Sequence, residues 1–412
     1  MAKVLQVKYR DAAGSAVQNF GLTRFYFCAN ANFNNNATEV NRQVTYRSAG
    51  TLSNLWANVT ANTVNGTSTW RTRVNAVNGA QSLSVGASTT GIFEDATNTD
   101  SIAAADEVNY SLVTGGTSGS ITTQSLTTVW SATTNTTIHH GGGTLTPSFD
   151  SATEFIPLGS GGQTVSAEAE TKFDFNSAGT LKNLFAYIPT NGRTTTSTFR
   201  SRKNAVDGVM SLSIAGSATG VFEDTVNTDS VAANDDLNYS LTNGTGGGIL
   251  TTDALFSEFE TTNSKFHSIV SSAGGITVNA NLTRFWGWGG NVYGAETTES
   301  ETRAELNIAA TVSNLFIYIS ANSVTAASTF DVRQDAVSTA VTISIGASTT
   351  GTFEDAVNSE ALVAADLVNF RMATGATGTS LTIRVQGCML ENTETAAVST
   401  PPPFLTLLGV GM

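Results

Sequence analysis

The residues with the clearest chemical capacity are three pairs of adjacent carboxylates. Glu94–Asp95 stands in TGIFEDATN, Glu223–Asp224 in TGVFEDTVN and Glu354–Asp355 in TGTFEDAVN. Paired carboxylates flanking one bond can hydrolyse glycosides, one as acid and the other as base or nucleophile. Neighbours on a strand, however, point to opposite faces, so these pairs cannot close on a common substrate. A structural role is expected instead. Phe93, Phe222 and Phe353 are expected in a core. The Asp, with Asn98, Asn227 or Asn358, suits a turn in which short polar side chains bond backbone amides. Arg73, Arg202 and Arg333 recur in one register and are the candidate partners of one carboxylate in each copy.

Other chemistry reads weakly. Asp95, Asp100 and Asp106 match no calcium-loop spacing. His139–His140 has no nearby cysteine or spaced carboxylate, so a loop is expected and not a zinc site; His267 stands alone. Nucleophile-elbow, zinc-protease, Walker and dinucleotide motifs do not occur in the sequence. No catalytic residue, cofactor or metal is therefore expected. Trp286 and Trp288 in RFWGWGGN lie two apart, on one face if the segment is a strand. They are a possible glycan-stacking or packing site. The other copies carry Tyr26 with Cys28, and Ile156 with Leu158, at these places, which favours packing.

The frame around these residues is set by composition. Of 412 residues only 13% are charged, and Thr, Ser, Asn, Gly and Ala must form the surface. The formal net charge is −13, which argues against nucleic acid and against an anionic membrane as partners. No apolar run approaches the length of a membrane span. The opening MAKVLQVKYRDAAG has no apolar core of a secretory signal, so synthesis in a cytoplasm is expected unless another secretion route exists. Cys28 and Cys388 read as buried free thiols, with a bond between them the alternative.

The carboxylate motif recurs because the whole chain does. Gly91, Gly220 and Gly351 are 129 and 131 residues apart (220 − 91 and 351 − 220). Forty positions upstream of each, without gaps, stand TLSNLWANV, TLKNLFAYI and TVSNLFIYI. A unit of about 130 residues has the size of an independent domain, not of a solenoid repeat. The expected division is 1–130, 131–261 and 262–391, followed by a Pro-rich tail at 392–412. Alternation at Leu83/Val85, Leu212/Ile214 and Ile343/Ile345, with Ser between, marks half-buried strands. Turn clusters such as VNGA and TGGTSGS separate them. The fold class expected is all-β: three tandem antiparallel β-sandwich, jelly-roll-like domains.

One strand is apolar on both sides. Leu55, Ala57 and Val59 alternate with Trp56 and Asn58, and the other copies place Phe185/Tyr187 and Phe316/Tyr318 on that second face. Trp56, Phe185, Tyr187, Phe316 and Tyr318 are accordingly expected to be covered. The cover is either a loop of the same domain or a neighbouring domain in an intrachain pseudo-trimer. Arg71 and Arg200 become Asp331, a divergence that a fused trimer permits. In the tail, Phe404, Leu405, Leu407 and Leu408 follow three prolines and are expected to dock on this chain or a partner.

The AADEVNY, ANDDLNY and AADLVNF segments resemble the acidic turn and strand found late in C1q- and tumour-necrosis-factor-like jelly rolls, though without their glycine. The TLSNL, TGxFED and D-x-VNY blocks together resemble β-rich structural proteins of tailed-phage virions. That resemblance implies a virion role and no active site. The function expected is a non-enzymatic phage capsid decoration or cementing protein at a threefold or quasi-threefold site, with the major capsid protein or other virion subunits as partner. The alternatives are a tail-fibre or baseplate adhesin binding host glycans through Trp286 and Trp288, and a bacterial surface or matrix protein.

Overall fold

A computed structural model describes residues 3–9, 17–28, 35–134, 136–140, 152–158, 164–175, 177–262, 266–288 and 295–392. The tail residues Phe404, Leu405, Leu407 and Leu408 lie outside the described residues. The described chain is nearly all strand, in antiparallel sheets.

The first repeat shows the pattern. Its strands are β1 (Lys3–Tyr9), β2 (Val17–Asn19), β3 (Thr23–Phe27), β4 (Asn35–Asn36), β5 (Val44–Thr45), β6 (Gly50–Asn62), β7 (Ser68–Val74), β8 (Val77–Val85), β9 (Gly91–Ile102), β10 (Glu107–Val113) and β11 (Ser120–Ala132). One sheet runs β1-β11-β6-β9 and the other β4-β3-β10-β7-β8, with β2 and β5 as short additions to β11 and β10. Counting only the eight main strands, the orders are 1-8-3-6 and 2-7-4-5, which is the jelly-roll topology. Segments 136–261 and 266–392 repeat both sheets, so three sheet pairs succeed one another along the chain. In the second repeat SATEFIPL, which departs most from the shared text, still supplies a strand, Thr153–Pro157, in the place of β3. His139 and His140 lie in a strand, Thr136–His140, and not in a loop.

Alternation decides which side chains enter the sandwich. Val108, Tyr110 and Leu112 are buried with Leu83 and Val85, and their counterparts in the other repeats are buried too. The hairpin joining β7 to β8 turns on Asn75 and Ala76, both at positive φ, as do Asn204–Ala205 and Asp335–Ala336. Two successive left-handed residues match the twist of a two-residue hairpin. Among the described residues, no helix is long and apolar enough to cross a membrane.

Candidate functional site

Each carboxylate pair splits between two environments. Asp95 is buried and accepts bonds from the backbone amides of Ser82, Thr97 and Asn98 and from the Asn98 side chain. Asp224 and Asp355 repeat this with Ser211, Val226 and Asn227, and with Thr342, Val357 and Asn358. These contacts hold a bulge. The register steps from Ser53↔Thr99 to Leu55↔Asp95, and the residue skipped on the partner strand, Asn54, has φ 52°. Asparagine tolerates that left-handed conformation, which explains the recurring N-L of the TLSNL block. Burial opposes ionisation of Asp95, Asp224 and Asp355, but the converging amides outweigh it and hold each carboxyl below its usual value. Asp100 and Asp106 are likewise occupied, Asp100 by Thr72, Ala80 and Gln81 and Asp106 by Ala103 and Asn75. Among the described residues no three His, Cys, Asp or Glu gather as a metal site.

Two expectations for this motif need correction. Phe93, Phe222 and Phe353 are only partly buried, because the strand that carries each lies at a sheet edge. Arg73, Arg202 and Arg333 do not pair with the motif carboxylates. They form two-pronged contacts with Glu39, Glu168 and Glu299, each 34 residues upstream in a short 3-10 turn. The signal was present in the sequence, since these Glu recur in register with the Arg.

The glycan reading of Trp286 and Trp288 is also corrected. Their exposures are 1% and 0%, and both belong to the core of the third repeat, so neither ring offers a face to a sugar. Cys28 and Cys388 are separate, buried free thiols. Burial pushes the Cys388 thiol up. Cys388 stands where the other repeats have Thr128 and Ser257, which bond Tyr110 and Tyr239; the third repeat has Phe370 in place of that tyrosine. The Asp331 divergence is local as well. Asp331 lies opposite Arg371 and pairs with it at 2.6 Å, where the other repeats oppose Arg71 to Ser111 and Arg200 to Ser240.

The face carrying Trp56, Phe185, Tyr187, Phe316 and Tyr318 meets a neighbouring repeat at every copy. Phe185 stacks on Phe256 at 4.3 Å, and both join the core cluster of the first repeat, with Tyr187 packed against it and 6.1 Å from Phe27. Phe316 packs on Phe173 at 4.6 Å and, with Val385 and Met389, joins the cluster of the second repeat, against which Tyr318 also packs. Trp56 is fully buried and donates its indole N–H to Glu305 of the third repeat at 2.9 Å. The first repeat thus covers the second, the second covers the third and the third covers the first. Head-to-tail contacts of this kind close into a ring.

The three joints differ in charge. At the joint of repeats one and two, Arg42 pairs with Asp253 at 3.0 Å and lies over the Phe27 ring, and Arg47 pairs with Glu223. Buried Glu258 accepts from the Arg47 amide and Ser48; burial raises its pKa in spite of them. At the joint of repeats two and three, Arg384 pairs with Glu170 at 3.1 Å. There burial and the nearby Asp174 and Asp236 raise Glu354, and burial with Asp236 and Asp235 raises Asp174. At the joint of repeats three and one, burial and the nearby Glu94 raise Glu305, against the Trp56 hydrogen bond. So the glutamate of the carboxylate motif sits at all three joints: Glu223 meets an arginine, while Glu354 and Glu94 meet other acids.

No protein-family model matches the chain, and no curated protein is significantly similar to it in sequence.

Proposed function

We propose that the chain is a non-enzymatic structural protein of a virus particle, a capsid decoration or cementing protein seated on a threefold or quasi-threefold site. The observation that carries this reading is the closed ring of three jelly-roll sheet pairs within one polypeptide. A covalent ring with pseudo-threefold symmetry is suited to a partner that presents the same surface three times. Its outward features fit that use. Val77, Val206 and Val337 open the hairpin strands that follow the tight turns and are 66%, 67% and 66% exposed, three equivalent apolar tips. The recurring carboxylates are engaged in bulges and joints, so they serve the scaffold. Binding to the major capsid protein would rest on shape and on Thr, Ser and Asn hydrogen bonds, without nucleic acid or membrane.

Purified particles test this. The chain is expected there at a fixed ratio to the capsid protein, and particles lacking it are expected to lose their shell more readily on heating. Its absence from particles overturns the reading.

A further inference from the structure

One joint of the ring carries an open cleft. Between repeats three and one lies a cleft of about 430 Å³, lined among others by Trp56, Asn58, Ile92, Ser300, Glu301 and Arg303. One substitution among the copies lies directly at it. Asn58 aligns with Tyr187 and Tyr318, whose rings pack against the neighbouring repeat at the other two joints. Asn58 is shorter, and its side-chain amide donates to the Ser300 carbonyl at 3.5 Å.

We propose that this cleft receives a tyrosine side chain presented by a second polypeptide, in place of the ring that the chain itself supplies elsewhere. Three observations favour a phenol. The cleft is the counterpart of a site that Tyr187 fills in the same fold. Its wall carries the half-exposed Ile92, which is suited to pack on an aromatic face. Its polar groups also match: Tyr187 lies near the Arg42–Asp253 pair, and the cleft carries Arg303 and Glu301. The Arg303 side chain is partly exposed and lines the cleft, and its guanidinium lies 3.8 Å from Glu299, so it retains N–H donors for a phenolic oxygen. The proposal goes beyond the particle reading and does not depend on it, since any polypeptide partner with an accessible tyrosine qualifies.

The test is calorimetric titration of the full chain with an acetylated Gly-Ser-Tyr-Ser-Gly peptide, with the Tyr→Ala peptide and N-acetyl-tyrosinamide as comparators. Saturable binding of the tyrosine peptide, at least about tenfold tighter than the alanine peptide, is expected. Asn58→Tyr should abolish it and raise the Tm, because the chain then fills its own cleft. Should that variant not fold, amide-shift mapping on the wild-type chain serves: the peptide must perturb Asn58, Ile92 and Ser300. Absence of saturable binding, full binding by a folded Asn58→Tyr variant, or perturbations confined to other residues overturns the proposal. N-acetyl-tyrosinamide binding as tightly as the peptide overturns the polypeptide source.

Discussion

The joint of repeats one and two and the joint of repeats three and one are built from equivalent faces and differ in nearly every contact. The first is sealed by stacked Phe185 and Phe256, by Tyr187 and by the Arg42–Asp253 and Arg47–Glu223 pairs. The third has Trp56, Thr127 and Asn58 at those places. It relies on the buried Trp56 ring with its indole bond to Glu305, on Val129 within the core cluster of the third repeat, and on long polar contacts, Ser125 to the Arg303 carbonyl and Asn307 to the Asn54 carbonyl, each at 3.5 Å. Covalent linkage explains how both coexist. Identical subunits would have to use one solution at every joint, whereas fused copies need only close the ring on average. One joint can therefore carry more of the apolar burial while another drifts towards polar contacts and an open cleft.

The contrast can be broken most severely at the sealed joint. Phe256→Ala should cost about 3–5 kcal/mol in thermal or urea unfolding, because the cavity is lined by two repeats. The equivalent Thr127→Ala should cost about 1 kcal/mol or less; its hydroxyl has no hydrogen-bond partner among the described residues. Equal losses at the two positions would show that the joints are energetically alike. Next in size is the bulge: Asp95→Ala strands three amides and should cost about 1–3 kcal/mol. Asp95→Asn should recover part of the loss.

Acidity sharpens the comparison, with two signs. Glu305, Glu354, Asp174 and Glu258 have raised folded-state pKa values, so the stability tied to their protonated forms grows as pH falls through those values and is lost as pH rises through them. Asp95, Asp224 and Asp355 have depressed values, so their contribution is present above the ordinary carboxylate range, about pH 4, and is lost as pH falls through the depressed values. Tm should therefore rise by a few degrees from neutral to mildly acidic pH and then fall in stronger acid. A monotonic decline from pH 7 downwards would contradict the acid-against-acid joints. The smallest effect is Glu305→Gln, which keeps an acceptor for Trp56 and removes the repulsion from Glu94. It should stabilise by about 0.5 kcal/mol at pH 7, given partial exposure, and by nothing at pH 4.

Much of the sandwich was legible because a strand's two-residue period is written in side-chain types: Leu83 and Val85 inward, Ser82 and Ser84 between them. The doubly apolar strand was legible for the same reason, through Trp56, Phe185 and Phe316. What covers that strand was not. The covering groups, Arg42, Arg47, Phe173, Arg303 and Glu305, come from a stretch where the copies have diverged, so no shared pattern marks them. The guanidinium partners were missed differently. Glu39, Glu168 and Glu299 recur faithfully, but adjacency drew attention to the nearer acids, and sequence proximity is a poor guide to sheet geometry. The paired Trp of the third repeat was ambiguous in kind, since a ring that fills a core and a ring that stacks on a sugar have the same letter.

Closure within one polypeptide has a thermodynamic corollary. A trimer of separate chains dissociates on dilution, because its interfaces are linked to protomer concentration. Here the third contact forms between segments already tethered, at an effective concentration fixed by the connections and not by the cell. The assembly should keep its shape at the lowest abundance, and a partner meeting a single molecule would find all three lobes already in place.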